Sequence, residues 1–174
     1  FRNFLDYSFY RSHGKAPNSQ ARQGAIDTLC GIALYDSPEH KVWTRIAEHR
    51  GSILLDLGDE DWKAVAIHPT GWTVITDPPV KFRRPKGMRP LPVPLHNGSI
   101  DELRRFLNLG SDADWVLTRA WLVQSVFPTG PYPIITLYGE AGSAKSTAAR
   151  ILKSCVDPTI APLRSKPRNE LDLL

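Results

Sequence analysis

Cysteine is almost absent: Cys30 and Cys155 are the two in 174 residues. They lie far apart in helical apolar patterns, so they read as small core residues of a reduced, cytoplasmic protein. The five histidines show no metal-ligand spacing. His40, His49 and His68 fall near turns and read as surface groups. No apolar run approaches the roughly 18 residues that a membrane helix requires, which excludes a helical span in this sequence. The opening residues, Phe1-Arg2-Asn3-Phe4, carry no signal-peptide pattern. The missing initiator Met suggests a piece of a longer protein. Hydrophobic residues make up 41% and charged residues 23%, a globular balance rather than a disordered one. A net charge of +4 permits an anionic partner without demanding one.

What the chain does have is concentrated in residues 134–155. Ile-Ile-Thr-Leu-Tyr is a short β-rich run of the kind a buried strand needs. Gly139-Glu140-Ala141-Gly142-Ser143-Ala144-Lys145-Ser146-Thr147 follows. Ala148, Ile151, Leu152 and Cys155 then recur at helical spacing. Strand, glycine loop and helix are the setting of a phosphate-binding P-loop (Walker A). Backbone N–H groups of residues 139–147 would wrap a polyphosphate, and the helix N-terminus would add partial positive charge. Lys145 would reach the outer phosphates of ATP, and Ser146 would ligate Mg²⁺. Thr147 could add a hydroxyl contact. Ala144 stands where the usual motif has its second glycine; a positive φ there would cost about 1 kcal/mol. The plain alternative is a strand–turn–helix that binds nothing.

The N-terminal part reads as α+β. Phe1, Phe4, Tyr7, Phe9 and Tyr10 predict a helix packed on the rest, with base stacking as the functional alternative. Asn18 or Ser19 can cap a second helix with Ala25, Ile26, Leu29, Cys30 and Ala33 on one face. Strand patterns follow at 42–47, 52–57, 62–67 and 72–76, with Ile53, Leu55 and Leu57 sharing a face. Glycine- and proline-bearing turns separate them, which predicts an antiparallel meander. Asp56, Asp59, Glu60 and Asp61 read as a solvated acidic turn, because their spacing fits no calcium loop.

Residues 77–98 hold six prolines together with Lys81, Arg83, Arg84, Lys86 and Arg89. No acid lies between Val80 and His96. This predicts an extended linker, either a solvated spacer or a basic strip for a phosphate backbone with Phe82 available to stack. Ser99-Ile100-Asp101-Glu102 is a capping box for a helix that turns Ile100, Leu103, Phe106 and Leu107 inward. Ser111 caps the next helix, 115–127, which is apolar nearly all round and so predicted to be buried between layers. Residues 160–163 could form an edge strand, and Pro167 opens a further segment. The expected division is 1–76, 77–98 and 99–174, with an α/β fold class overall.

Several stretches carry a resemblance. They are Leu55-Asp56-Leu57-Gly58, Gly71-Trp72, Pro78-Pro79-Val80-Lys81-Phe82-Arg83-Arg84-Pro85, Arg89-Pro90-Leu91-Pro92 and Gly130-Pro131-Tyr132-Pro133. The glycine loop, Asp157-Pro158 and Ala161-Pro162-Leu163-Arg164-Ser165 complete the set. With these the chain resembles a family of ATP-binding proteins of phages, prophages and integrative elements that are similar to replicative helicases. Alanine before the lysine is shared with that family. The resemblance implies ATP and Mg²⁺ as cofactors, DNA and a primase–polymerase as partners, and a role in element replication, with a homo-oligomer left open. It also implies that an acidic strand and an arginine sensor lie beyond Leu174, so this stretch alone is expected to bind nucleotide weakly and hydrolyse it poorly. A small-molecule kinase and a DNA-binding module with a vestigial P-loop are the competing readings.

Overall fold

The computed structural model describes residues 1–163. The chain forms two compact units, Phe1–His40 and Lys41–Leu174. The boundary at residue 40 differs from the divisions expected after residues 76 and 98.

The first unit is a helical pair, α1 (Arg2–His13) and α2 (Ser19–Tyr35). Gly14 ends α1 in the left-handed conformation, φ 69°, and its N–H donates to the Tyr10 carbonyl. The Asn18 side chain accepts from Ala21 N at 2.7 Å and caps α2. Arg22 and Asp6 join the helices at 3.1 Å. Neither helix has a buried residue. Within this unit Phe1, Phe4, Tyr7 and Tyr10 are exposed, while Leu5 and Phe9 are half-buried. Cys30 and Cys155 are also exposed, against their expected core positions.

The second unit begins with the meander. Strands β2 (Ile46–His49), β3 (Ser52–Asp56), β4 (Ala64–His68) and β5 (Gly71–Ile75) pair antiparallel in chain order. Leu54 faces Ala47 and Ala66, and these three form its core, with Trp43, Ile75, Val80 and Phe82 packed against them. The more buried face of β3 carries Leu54 and Asp56 rather than Ile53 and Leu55, one residue out of the expected phase, while Leu57 just past the strand is buried. The predicted strand 42–47 is broken at Thr44-Arg45. Its first half, β1 (Val42–Trp43), pairs in parallel with β6 (Lys81–Phe82).

Residues 77–98 are largely extended, as the prolines require, but they are not a free spacer. Val80 and Phe82 pack on the meander core. Leu91 N donates to Leu57 O at 2.7 Å, and Arg89 N donates to Pro158 O at 2.8 Å.

A 3₁₀ helix (Ile100–Phe106) leads to α3 (Asp112–Ser125), and α4 (Lys145–Val156) follows the glycine loop. Ser111 accepts from Asp114 N, as the capping pattern predicts; Ser99 accepts from Asp101 N, while Glu102 pairs with Arg105 and does not complete the expected capping box. Leu107, Trp115, Leu122 and Leu152 form a second core, with Ile135, Ala148 and Ile151 against it. Helix α3 is buried on one side only. Trp115, Thr118 and Leu122 face inward, while Val116, Leu117 and Val123 are exposed, as are Ile100 and Phe106 of the 3₁₀ helix. Residues 134–138 alternate, with Ile135 and Leu137 half-buried and Ile134 and Tyr138 exposed at 92% and 88%. The buried strand expected there is not formed, because no described segment pairs with it.

Candidate functional site: the glycine loop and the basic strip

The loop before α4 turns on three left-handed residues. Gly139 has φ 147°, Gly142 φ 81° and Ala144 φ 62°. A Cβ on Gly139 would lie 2.8 Å from Ser143 Oγ, so the loop is too tight there for a side chain. Ser143 N donates to Glu140 O at 3.3 Å, which closes a turn around Ala141 and Gly142. Asn108 Nδ2 reaches Ser143 O at 3.4 Å and ties the loop to the chain leaving the 3₁₀ helix.

Ala144 occupies the N-cap of α4 in a positive-φ conformation. It has no side-chain oxygen to offer. Asn18, Ser99 and Ser111 cap their helices with side chains; α4 has no such cap. Its first-turn N–H groups, from Lys145 to Thr147, have no carbonyl within the helix to receive them. They add to the positive end of the helix dipole. Lys145, the first residue of α4, folds back over the loop. Its ammonium donates to Glu140 O at 2.6 Å, Gly139 O at 2.9 Å and Ser143 Oγ at 3.1 Å. Ser146 and Thr147 are exposed one and two positions on, and Ala141 and Gly142 form the exposed tip of the loop. The packing of Leu152 in the second core sets the orientation of the whole helix.

Four of the five predicted basic residues are exposed and the fifth, Arg84, is not. Lys81 and Arg83 are exposed on the outer side of β6, and Phe82 between them packs inward instead of stacking outward. Lys86 and Arg89 are also exposed. Arg84 is committed elsewhere. Its guanidinium binds both oxygens of Asp56, donates to the Asp59 carbonyl and lies 3.8 Å from the Trp62 ring centroid. Asp56 is therefore not part of a solvated turn but a fully buried carboxylate. Asp59 accepts from Lys63 N, and Asp61 pairs with the Lys63 ammonium. That pair holds the Asp61 carboxyl below its ordinary pKa and the Lys63 ammonium above its own. Among the described residues, no group of acids, cysteines and histidines could hold a metal ion.

One residue escaped the sequence reading. Arg45 is buried, and it donates to Asp157 Oδ1 at 3.0 and 3.1 Å, to Asp56 O at 3.2 Å and to Arg89 O at 2.9 Å. It fastens the meander to the end of α4. The available signal was a cation inside an otherwise β-like run. Asp157 also accepts from Lys153 at 2.7 Å. Burial raises the Asp157 pKa, but the hydrogen bonds from Lys153 and Arg45 outweigh it and hold the carboxyl below its ordinary value.

No curated protein and no solved structure matches the chain. Residues 100–174, from the 3₁₀ helix through the glycine loop and α4, match the family model described as actinomycete integrative conjugative element replication protein, so this stretch is similar to a mobile-element replication protein.

Proposed function

We propose that the chain is the nucleotide-binding portion of a P-loop ATPase, helicase-like, that serves DNA replication of an integrative mobile element. One observation carries the reading: the Lys145 ammonium is held across a loop of left-handed residues at the uncapped N-terminus of α4. A triphosphate fits this arrangement. Backbone N–H groups of residues 139–147 receive its oxygens, except that of Ser143, which is bonded to Glu140 O. The ammonium moves from neutral carbonyls to phosphate oxygens, which are stronger acceptors. Lys145 then stabilises charge on the phosphoryl group being transferred.

The exposed Ser146 hydroxyl, without a hydrogen-bond partner among the described residues, is the group that fits Mg²⁺. The ion would supply charge neutralisation between the outer phosphates. Similarity of residues 100–174 to an element replication protein supports DNA as the polymer on which the hydrolysis cycle acts.

The test is nucleotide binding by Lys145→Ala, followed with a fluorescent ATP analogue. A charge-assisted hydrogen bond contributes about 1.5–3 kcal/mol, so affinity should fall roughly 10- to 100-fold. Unchanged affinity with the fold intact would reject the P-loop reading.

A further inference from the structure

The segment that leaves α4 lines two clefts, which share Thr159 and Pro162. Residues 158–160 are fixed to the basic strip by backbone bonds. Arg89 N donates to Pro158 O at 2.8 Å, Ile160 N donates to Gly87 O at 2.9 Å, and Met88 bridges Thr159. The larger cleft has a volume of about 670 Å³ and is lined by Lys86 and Lys153 together with Thr44 and Thr159. The smaller cleft, about 300 Å³, is lined by Arg89 and Arg150 together with Ser154 and Thr159.

Four cations thus line the two clefts, and among the described residues the one acid in their lining is Asp157. Asp157 is already bonded to Lys153 and to the buried Arg45. The side chains of Lys86, Arg89 and Arg150 make no hydrogen bond or ion pair among the described residues. Their neighbours are hydroxyls, prolines and aliphatic groups. Such a lining suits a chain of phosphates spaced along a backbone better than a single compact anion. Arg150 and Lys153 are three residues apart on α4 and share a face. Arg150 lies about 7.5 Å along the helix axis from Lys145.

We infer that these two clefts form one phosphodiester track for a nucleic-acid strand, built half from the strip (Lys86, Arg89) and half from α4 (Arg150, Lys153). The track rests on the reading of the chain as a replication protein. It replaces Arg84, whose charge is spent on the buried Asp56, with Arg150, unpaired among the described residues, and with Lys153, whose partner Asp157 is half-exposed and shared with Arg45. One rigid helix then carries the nucleotide lysine at its first residue and strand contacts on its second and third turns.

The experiment is fluorescence anisotropy of a labelled oligothymidylate with the full chain, titrated over a range of salt. Arg89→Gln with Arg150→Gln should weaken binding at least tenfold at low salt. Each cation lost should flatten the slope of log affinity against log salt by about 0.7. Lys86→Gln with Lys153→Gln should act in the same direction, with thermal melts confirming that both double variants fold. Wild-type affinity and slope in both would overturn the track. So would binding to phosphatidylserine vesicles by a chain that ignores the oligonucleotide. Lys145→Ala separates the two ideas. Lost nucleotide binding with intact oligonucleotide affinity supports the track. Unaltered nucleotide affinity in that variant, together with weakened oligonucleotide binding in the double variants, would sink the P-loop reading and leave the track standing.

Discussion

Arg84 grips Asp56 through two parallel contacts, Nε to Oδ2 at 2.9 Å and Nη2 to Oδ1 at 2.6 Å, and Asp56 is wholly shielded from solvent. The pair locks the proline-rich stretch onto the end of β3. Arg84→Ala would leave a carboxylate buried without its partner, which costs about 3–5 kcal/mol. Urea unfolding should show that loss as a lower midpoint with little change in slope. A drop below about 1 kcal/mol would mean that the pair is not closed in solution.

Gly58 should resist substitution for two independent reasons. Its φ of 70° lies in the left-handed region, and an added Cβ would meet Arg45 Nη1 at 2.9 Å and Arg89 O at 3.3 Å. Gly58→Ala is expected to destabilise by about 1–3 kcal/mol, by adding backbone strain and displacing the guanidinium that holds Asp157. Gly51 has a similar φ of 78° but open space around it. Gly51→Ala should therefore cost only the conformational part, about 1 kcal/mol. Comparing the two melting temperatures checks the difference.

Ala144 takes φ 62° at the head of α4. Ala144→Gly should relieve about 1 kcal/mol of backbone strain and raise the melting temperature slightly. A lowered melting temperature would show that the alanine methyl packs in a way that outweighs its strain.

Asp157 sets an acid limit on stability. Its carboxyl is held below the ordinary value by Lys153 and Arg45, against the opposing effect of burial. A depressed folded-state pKa means that the contribution is complete above the unfolded value, near pH 4, and fades as pH falls through the lower folded value. Denaturant midpoints of the wild type should therefore fall below about pH 4 more steeply than those of Asp157→Asn. Parallel acid limbs in the two proteins would remove Asp157 from the account.

Much of the local structure was legible because it depends on neighbouring residues. The meander follows from short β patterns separated by turns, and the Ser111 cap from its spacing. What escaped depends on partners distant in sequence. Arg45 and Asp157 are 112 positions apart, and no periodicity reports such a pair. Asp56 looked solvated because three acids follow it within five residues, while the arginine that buries it lies 28 positions on. The outer face of α3 read as core because composition records which groups are apolar, not whether anything covers them.

The Arg45 guanidinium also decides where this protein can be cut. The family match begins at residue 100, yet Arg45 binds the residue that ends α4, and Pro158 and Ile160 bond to the strip at Arg89 and Gly87. Expressing residues 100–174 alone would take Arg45 away from Asp157, leaving it Lys153, and would remove the strip residues bonded to 158–160. A fragment that starts at Lys41 keeps both.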